Sequence, residues 1–311
     1  MKLIVQPEAG IIPIVQIVKR ARVSIDVCIF RFDRKAIERA LAAAVQRGVR
    51  VRALIAHAEG RRANRLRKLE ERLLASGVTL ARTLDDLLRY HSKFMVVDDT
   101  LHLFGFNFTK NDIKRCRSFG IATKDRRSVQ EALKLFEADC MRLPYAPSGK
   151  SNLVVSPDSA RPVLERFICD ARRDLAIYDA RIQDPVILRL LADRASKGVQ
   201  VRILGGMKKA ANGAIEVRQL KGLRLHVRAM IRDGTRAFVG SQSLRKQDLD
   251  KRREVGLIVS NPGVTRQLKQ VFEVDWQASD RGKEKEKEER DKGKEVGKET
   301  EPKVEGTRAT A

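Results

Sequence analysis

Two stretches of this 311-residue chain carry related residues in the same register, and an internal repeat constrains a fold more than any composition does. The first runs Tyr90-His91-Ser92-Lys93 to Asp98, and seven residues later comes Gly105-Phe106-Asn107. The second runs Leu225-His226-Val227-Arg228 to Asp233, then Gly240-Ser241-Gln242. In both, the glycine stands 14 residues after the histidine and the amide side chain 16 after it. The chain has 4 histidines, and two of them take this position.

A second pair of segments marks the same duplication upstream. Gly48-Val49-Arg50-Val51-Arg52-Ala53-Leu54 resembles Gly198-Val199-Gln200-Val201-Arg202-Ile203-Leu204. Before the first glycine, Ile37, Leu41, Ala44 and Val45 fall on one helical face. Before the second, Asp184 is placed to cap a helix, Pro185 suits its first position, and Val186, Leu190 and Leu191 follow. Each glycine ends its helix, and an alternating strand begins. Strand-like runs, Val23–Phe30 and Leu175–Ala180, precede the two helices. Strand, helix, strand implies parallel pairing with a right-handed crossover. The expected fold is therefore α/β: two pseudo-symmetric halves, residues 1–145 and 146–280, each a mixed, largely parallel sheet flanked by helices. The longer first half owes most of its excess to a predicted helix over Arg61–Ser76, with Leu66, Leu69 and Leu73 on one face and Arg61, Arg62, Arg65 and Lys68 on the other. That second face reads equally as an ordinary solvated side or as an edge turned to an anion.

Formal net charge is +24. From Arg281 onward, 10 basic residues meet 9 acidic ones, so almost all of the excess sits on residues 1–280. A globular region this basic meets an anionic partner, nucleic acid or an anionic membrane surface, unless its arginines merely solvate helix faces. Residues 281–311 alternate Lys and Glu with few large apolar side chains, a composition that predicts a disordered tail. Cys28, Cys116, Cys140 and Cys169 lack metal-ligand spacing and read as reduced, buried thiols. No apolar run approaches the roughly 18 residues of a membrane span. The best, Ile11 to Val18, is broken by Pro13 and Gln16, and the N-terminus has no signal-peptide pattern. The expected location is cytoplasmic, with peripheral contact to an anionic membrane as an alternative.

The pattern His-x-Lys-x4-Asp followed by Gly-x-Asn resembles the signature of the phospholipase D superfamily, and the resemblance spans roughly residues 1–280. It implies a single site at which two such motifs meet. His91, Lys93 and Asn107 fit it closely; in the second half Arg228 replaces the lysine and Gln242 the asparagine. A further likeness, through Arg115-Cys116-Arg117-Ser118-Phe119-Gly120, is to bacterial phospholipase D-like proteins. The resemblance also implies an acidic residue that orients a catalytic histidine. Glu254, in Arg253-Glu254-Val255-Gly256, is the candidate, and Ser118 takes its place in the first half.

The chemistry explains the residue types. On a strand, residues i and i+2 share a face, so His91 and Lys93 reach one phosphate together. A neutral imidazole attacks phosphorus and splits the displacement into two easier steps. A second, protonated histidine donates to the leaving oxygen and later activates water. Lys93 and Asn107 hold the non-bridging oxygens, with Arg228 and Gln242 opposite. His91 is the expected nucleophile because its half has the intact motif, although Glu254 is an argument for His226. Asp98 and Asp233 are expected to support structure, and Lys110, Lys114 and Arg115 to form a basic rim on the loop after Asn107. His57, after a strand end, reads as a structural histidine with pocket lining as the alternative, and His102 receives no role.

The expected function is metal-independent, cofactor-free hydrolysis of a phosphodiester, a phospholipid first, through a phosphohistidine. The same site on nucleic acid is the first alternative. A basic phosphate-binding protein that no longer turns over is the second. Neither oligomeric state nor substrate follows from these residues.

Overall fold

The structure, a computed structural model, describes residues 1–56, 60–208 and 214–281. The first half comprises β1 (Lys2–Gln6), α1 (Ile12–Arg20), β2 (Ser24–Ile29), α2 (Lys35–Gln46), β3 (Arg50–Ile55), α3 (Gly60–Ala75), β4 (Thr79–Arg82), β5 (Arg89–Tyr90), β6 (Phe94–Val97), β7 (Thr100–Phe104), α4 (Lys110–Arg115), β8 (Cys116–Thr123) and α5 (Arg126–Met141). The second comprises β9 (Leu153–Ser156), α6 (Ala160–Cys169), β10 (Asp174–Ile182), α7 (Pro185–Ser196), β11 (Gln200–Met207), β12 (Ile215–Gln219), β13 (Arg224–Leu225), β14 (Arg228–Arg232), β15 (Arg236–Gly240), α8 (Lys246–Asp250), β16 (Arg252–Val259), α9 (Pro262–Gln277) and β17 (Asp280–Arg281). With α3 and β17 set aside, the two series match element for element.

Each half builds one mixed sheet flanked by helices. The first runs β1-β8-β7-β6-β2-β3-β4, and the second runs β17-β12-β11-β10-β14-β15-β16, with β9 also on β16. Parallel pairing is confined, within each half, to β2-β3-β4 and β10-β11-β12. The expectation of largely parallel sheets is corrected here. It extrapolated from the βαβ units, whereas β6–β7 and β14–β15 are joined by connections too short for a crossover and so must be antiparallel.

Those two tight turns explain the aspartates that close the motifs. Asp98 and Asp233 sit at φ 51° and 52°, a left-handed conformation that short polar side chains tolerate. The Asp98 carboxylate accepts the backbone N–H groups of Arg22, Val23 and Ser24 at 2.8 to 3.1 Å. Asp233 does the same for Arg172, Arg173 and Asp174 at 2.7 to 3.2 Å. Each aspartate therefore ties its hairpin to the start of β2 or β10.

Three large apolar clusters divide the interior, with a small fourth of Phe30, Ala56 and Tyr90. One packs the outer face of the first sheet under α1, α2 and α3, including Ile14, Leu41 and Leu73. Another packs α6, α7 and α8 onto the second sheet, including Leu164, Leu191 and Leu249. The largest joins the halves: Phe119, Phe136 and Leu103 from the first meet Tyr178, Val239 and Phe272 from the second.

Reciprocal ion pairs cross that shared core. Arg117 on β8 donates Nε to Asp275 Oδ2 at 2.8 Å and Nη2 to Oδ1 at 3.0 Å, and Tyr178 Oη donates to the same carboxylate at 2.7 Å. Arg253, the matching residue of β16, lies 3.2 Å from Asp139 on α5 and 2.5 Å from Asp158. Burial pushes the Asp139 carboxyl up to about 6, against the pull of Arg253. Three cysteines, Cys28, Cys116 and Cys140, are drawn at least partly into the interior, while Cys169 is exposed; all four are free. Arg281, first residue of the expected tail, pairs with Arg218 in β17–β12; residues 282–311 lie outside the described residues, as does His57. No helix among the described residues is long and apolar enough to cross a membrane.

Removing one partner of a buried pair strands its charge. Asp275→Ala, which also leaves Tyr178 Oη without its acceptor, is expected to cost roughly 3–5 kcal/mol of stability in chemical denaturation. A loss within the few tenths typical of surface sites would show that the inter-half pair is dispensable.

Candidate active site

Neither histidine sits in its own half's sheet. β5 pairs in parallel with β16 of the second half, Tyr90 opposite Arg253, and the His91 N–H then donates to the Arg253 carbonyl at 2.7 Å. β13 pairs with β8 of the first half, Leu225 opposite Arg117, and the His226 N–H donates to the Arg117 carbonyl at 3.2 Å. After each histidine the chain crosses back, and β6 or β14 begins only at Phe94 or Arg228. His91, Ser92 and Lys93 thus lie in the crossing, where the strand placement expected from the sequence does not hold. The alternation that set His91 and Lys93 on one strand face is replaced by a direct contact: Lys93 Nζ donates to the His91 carbonyl at 2.7 Å.

The two motif glycines meet at the junction. A Cβ on Gly105 would lie 3.1 Å from the Phe119 carbonyl oxygen and 3.3 Å from that of Gly240. Only glycine allows the β7 and β15 ends to approach this closely without a shift.

Glu254, fully buried on β16, reaches the histidine of the other half. Its Oε2 lies 2.8 Å from His91 Nδ1, within hydrogen-bond distance. Burial, reinforced by the Lys93, Arg252 and Arg89 cations, holds His91 well below the ordinary histidine value. Burial also pushes Glu254 up to about 7, opposed by Lys93 and the Ser241 hydroxyl. With Glu254 ionised, Nδ1 donates to it and Nε2 keeps a free lone pair. Phe30 packs edge-on against the His91 ring, centroids 4.6 Å apart, and limits its rotation. Lys93 is 1% exposed, and burial lowers its ammonium to about 8.

The second histidine is held differently. Ser118 occupies the place of Glu254, and its buried hydroxyl has no partner. Asp112 of α4 comes nearest instead, its Oδ2 3.7 Å from His226 Nδ1, beyond hydrogen-bond range. Asn107 fixes that carboxylate: its backbone N–H and its Nδ2 donate to Asp112 Oδ2 at 3.0 and 2.6 Å. His226 falls to about 3; burial is the largest cause, Asp112 opposes it, and Lys93, Arg228 and His91 add to it. The sequence reading missed Asp112 because it treated residues 109–115 as a loop. Thr109 in fact caps α4, accepting the Asp112 N–H at 3.1 Å, and turns Asp112 inward while Lys110, Lys114 and Arg115 stay exposed.

Arg228 and Gln242 do not mirror Lys93 and Asn107. Arg228 Nη1 donates to the Val227 carbonyl at 2.7 Å, and Nε lies 3.7 Å from Asp179 Oδ1. One step beyond the paired Tyr178 and Ala229, Asp179 stands opposite Arg228; Ile29 stands opposite Lys93 in the same way. A carboxylate has thus entered beside the longer cation, a neighbour the sequence reading did not pair with it. Asp179 also accepts from Ser243 Oγ and the Leu244 N–H, each at 2.7 Å. Gln242 donates Nε2 to the Val154 carbonyl at 2.9 Å inside the second half, and no hydrogen bond joins it to either histidine.

Residues 14–140 and 164–276 match the family described as "Cardiolipin synthase, PLD-like domain". Among solved structures, polyphosphate kinase from Porphyromonas gingivalis superposes with a TM-score of 0.74 at 19% identity, over 88% of this chain and 50% of that one. The chain thus spans half the length of that kinase. Phosphatidylserine synthase from Haemophilus influenzae Rd KW20 superposes with a TM-score of 0.65 at 12% identity, over 89% and 85%. These likenesses show the fold. No curated protein matches the sequence.

The titrations predict a narrow bell in kcat/KM. Below about 7, Glu254 takes up a proton and no longer accepts from His91; above about 8, Lys93 loses its charge. His91 is neutral throughout that window. Glu254→Gln is expected to abolish the acidic limb and to lower kcat/KM by roughly 10² to 10⁴. An unchanged acidic limb in this variant would assign it to another group.

Proposed function

We propose, from the premise that this chain belongs to the PLD-like domain family and so shares the phosphodiesterase-type fold of the phospholipase D superfamily, that it hydrolyses a phosphodiester through a phosphohistidine on His91. The observation that carries this reading is the 2.8 Å contact of His91 with Glu254. It fixes one imidazole in direction and leaves the lone pair of its outward nitrogen free, while burial and the neighbouring cations keep the ring neutral.

In the first step, His91 Nε2 attacks phosphorus, an N–P bond forms, and the bond to the leaving oxygen breaks. His226 gives that oxygen its proton. The free site is crowded with cations, and an entering phosphodiester anion raises the proton affinity of His226 so that it can serve as the acid. Lys93 binds a non-bridging oxygen as charge develops there. In the second step, His226 takes a proton from water, the hydroxyl oxygen attacks phosphorus, and His91 leaves with its lone pair restored. Asn107 acts through Asp112 in this scheme, as a positioning residue for His226. Arg228, held between the Val227 carbonyl and Asp179, contributes less than Lys93. The catalytic groups grip the phosphate and not its flanks, so they serve a phospholipid and a nucleic acid alike.

A second reading has its own observation. His226 lacks a hydrogen bond at Nδ1, and Ser118 lacks a partner, so a phosphate-binding protein with little turnover also fits these residues.

Hydrolysis of bis(p-nitrophenyl) phosphate in EDTA separates the two. Turnover is expected to survive the chelator and to fall at least roughly 10³-fold in His91→Ala, which loses the nucleophile, and in His226→Ala, which loses the base that activates water in the second step. Alkali-quenched wild type, in which the N–P bond survives, should carry a p-nitrophenyl phosphoryl group on the His91 peptide. Loss of all activity in EDTA, restored by a divalent metal, would overturn the mechanism. Saturable phosphate binding without turnover would establish the second reading.

A further inference from the structure

Four arginines around the site remain unassigned by this mechanism, and they come in matched pairs. Arg89 and Arg224 each stand two residues before their histidine. Arg31 and Arg181 each stand two residues after the matched positions Ile29 and Asp179. All four are exposed, and none has an ion pair among the described residues. The catalytic positions have diverged between the halves: Lys93 against Arg228, Asn107 against Gln242, Ser118 against Glu254. Phe30 has become Ala180. These four positions are arginine in both halves, as are the buried Arg117 and Arg253 of the junction.

In the first half they also converge. The Arg31 guanidinium lies 5.4 Å and the Arg89 guanidinium 5.5 Å from the centroid of Phe30, the ring that packs against His91. Arg252 stands directly opposite Arg89 across β5 and β16. Like charges set opposite each other in a sheet are destabilising. The nearby acid, Asp248, is already shared by Arg245 and Arg252 at 2.6 Å each. Crowding of this kind lowers the proton affinity of Arg89, through burial first and then Arg252 and Arg31. An anion bound between these guanidinium groups removes the repulsion and gains charge-assisted hydrogen bonds.

We propose that Arg31 with Arg89, and Arg181 with Arg224, form two phosphate subsites flanking the catalytic centre, and that the substrate is a single nucleic-acid strand whose scissile phosphodiester has a phosphate on either side. The identity of the scissile phosphate rests on the function proposed above; binding at the flanks does not. A simple phospholipid offers one phosphate and leaves both flanks empty. Inorganic polyphosphate offers several, but its leaving group departs as a stabilised anion and has little use for a proton from a second histidine. A sugar hydroxyl needs that proton.

Equilibrium binding of a fluorescent pentathymidylate tests this, with bis(p-nitrophenyl) phosphate, pentapolyphosphate and phosphatidylglycerol vesicles as competitors. The full chain is used as wild type, Arg31→Ala/Arg89→Ala and Arg181→Ala/Arg224→Ala. The expected result is that pentathymidylate binds at least tenfold tighter than the single diester. Each double variant should lose that advantage by about tenfold, and its salt slope should drop by about 0.7 for each phosphate it no longer neutralises. Hydrolysis of the single diester should be unchanged in Arg181→Ala/Arg224→Ala. Equal affinity for one and for several phosphates, or a strand affinity untouched by both double variants, overturns the proposal. So does preference for pentapolyphosphate or for vesicles. Flank-dependent binding in a protein that turns over nothing would uphold the subsites while sinking the hydrolytic function.

Discussion

The reciprocal buried pairs, Arg117 with Asp275 and Arg253 with Asp139, are the constraint on which the rest of this molecule depends. Each pair joins one half's last sheet strand to the other half's closing helix. The same two arginines offer their main-chain carbonyls to His226 and His91. The charge that must be satisfied in the interior and the histidine that must be aimed at the site are therefore one peptide unit apart. The pairs need not add much to stability, since desolvation offsets most of the Coulomb gain. What they contribute is direction: each arginine has one carboxylate in its own half, Glu8 or Asp158, and docking of the halves supplies the second, Asp275 or Asp139. That docking brings Gly105 against Gly240 and gathers His91, Lys93, Glu254, Asp112 and His226 at a single junction.

Much of this was legible in the sequence because a duplicated chain carries its own comparison. The common 14- and 16-residue spacings were enough to pair the motifs, and the Gly48 and Gly198 segments were enough to place the βαβ units. The mixed sheets, two halves and flanking helices follow from these. Antiparallel pairings were underweighted because period-2 alternation does not distinguish a parallel neighbour from an antiparallel one. Residues 110–115 read as a basic loop because a helix of six residues has too few turns to show a period, and only the Thr109 cap betrays it.

At the site the limits have a different origin. Glu254 was visible as an orienting acid, yet the histidine it serves depends on which sheet edge β5 joins, and a two-residue strand leaves no trace of its partner. Asp112 and Asp179 were hidden for a related reason. Each matters through a side chain it meets across space, His226 in one case and Arg228 in the other, and nothing local to residues 112 or 179 announces that meeting. The substitutions Lys to Arg and Ile to Asp, seen apart, look like decay of the second motif. Seen facing each other, they are two changes at one place, a larger cation and the carboxylate that restrains it.

Because β5 and β13 each complete the opposite half's sheet, neither half owns its histidine. A ribosome that has released only the first 145 residues has made Lys93 and Asn107, but not the glutamate that aims His91 or the edge to which that histidine is pinned. The aimed imidazole comes into being only when β16 takes its place. A nascent, clipped or half-unfolded chain lacks the assembled junction altogether.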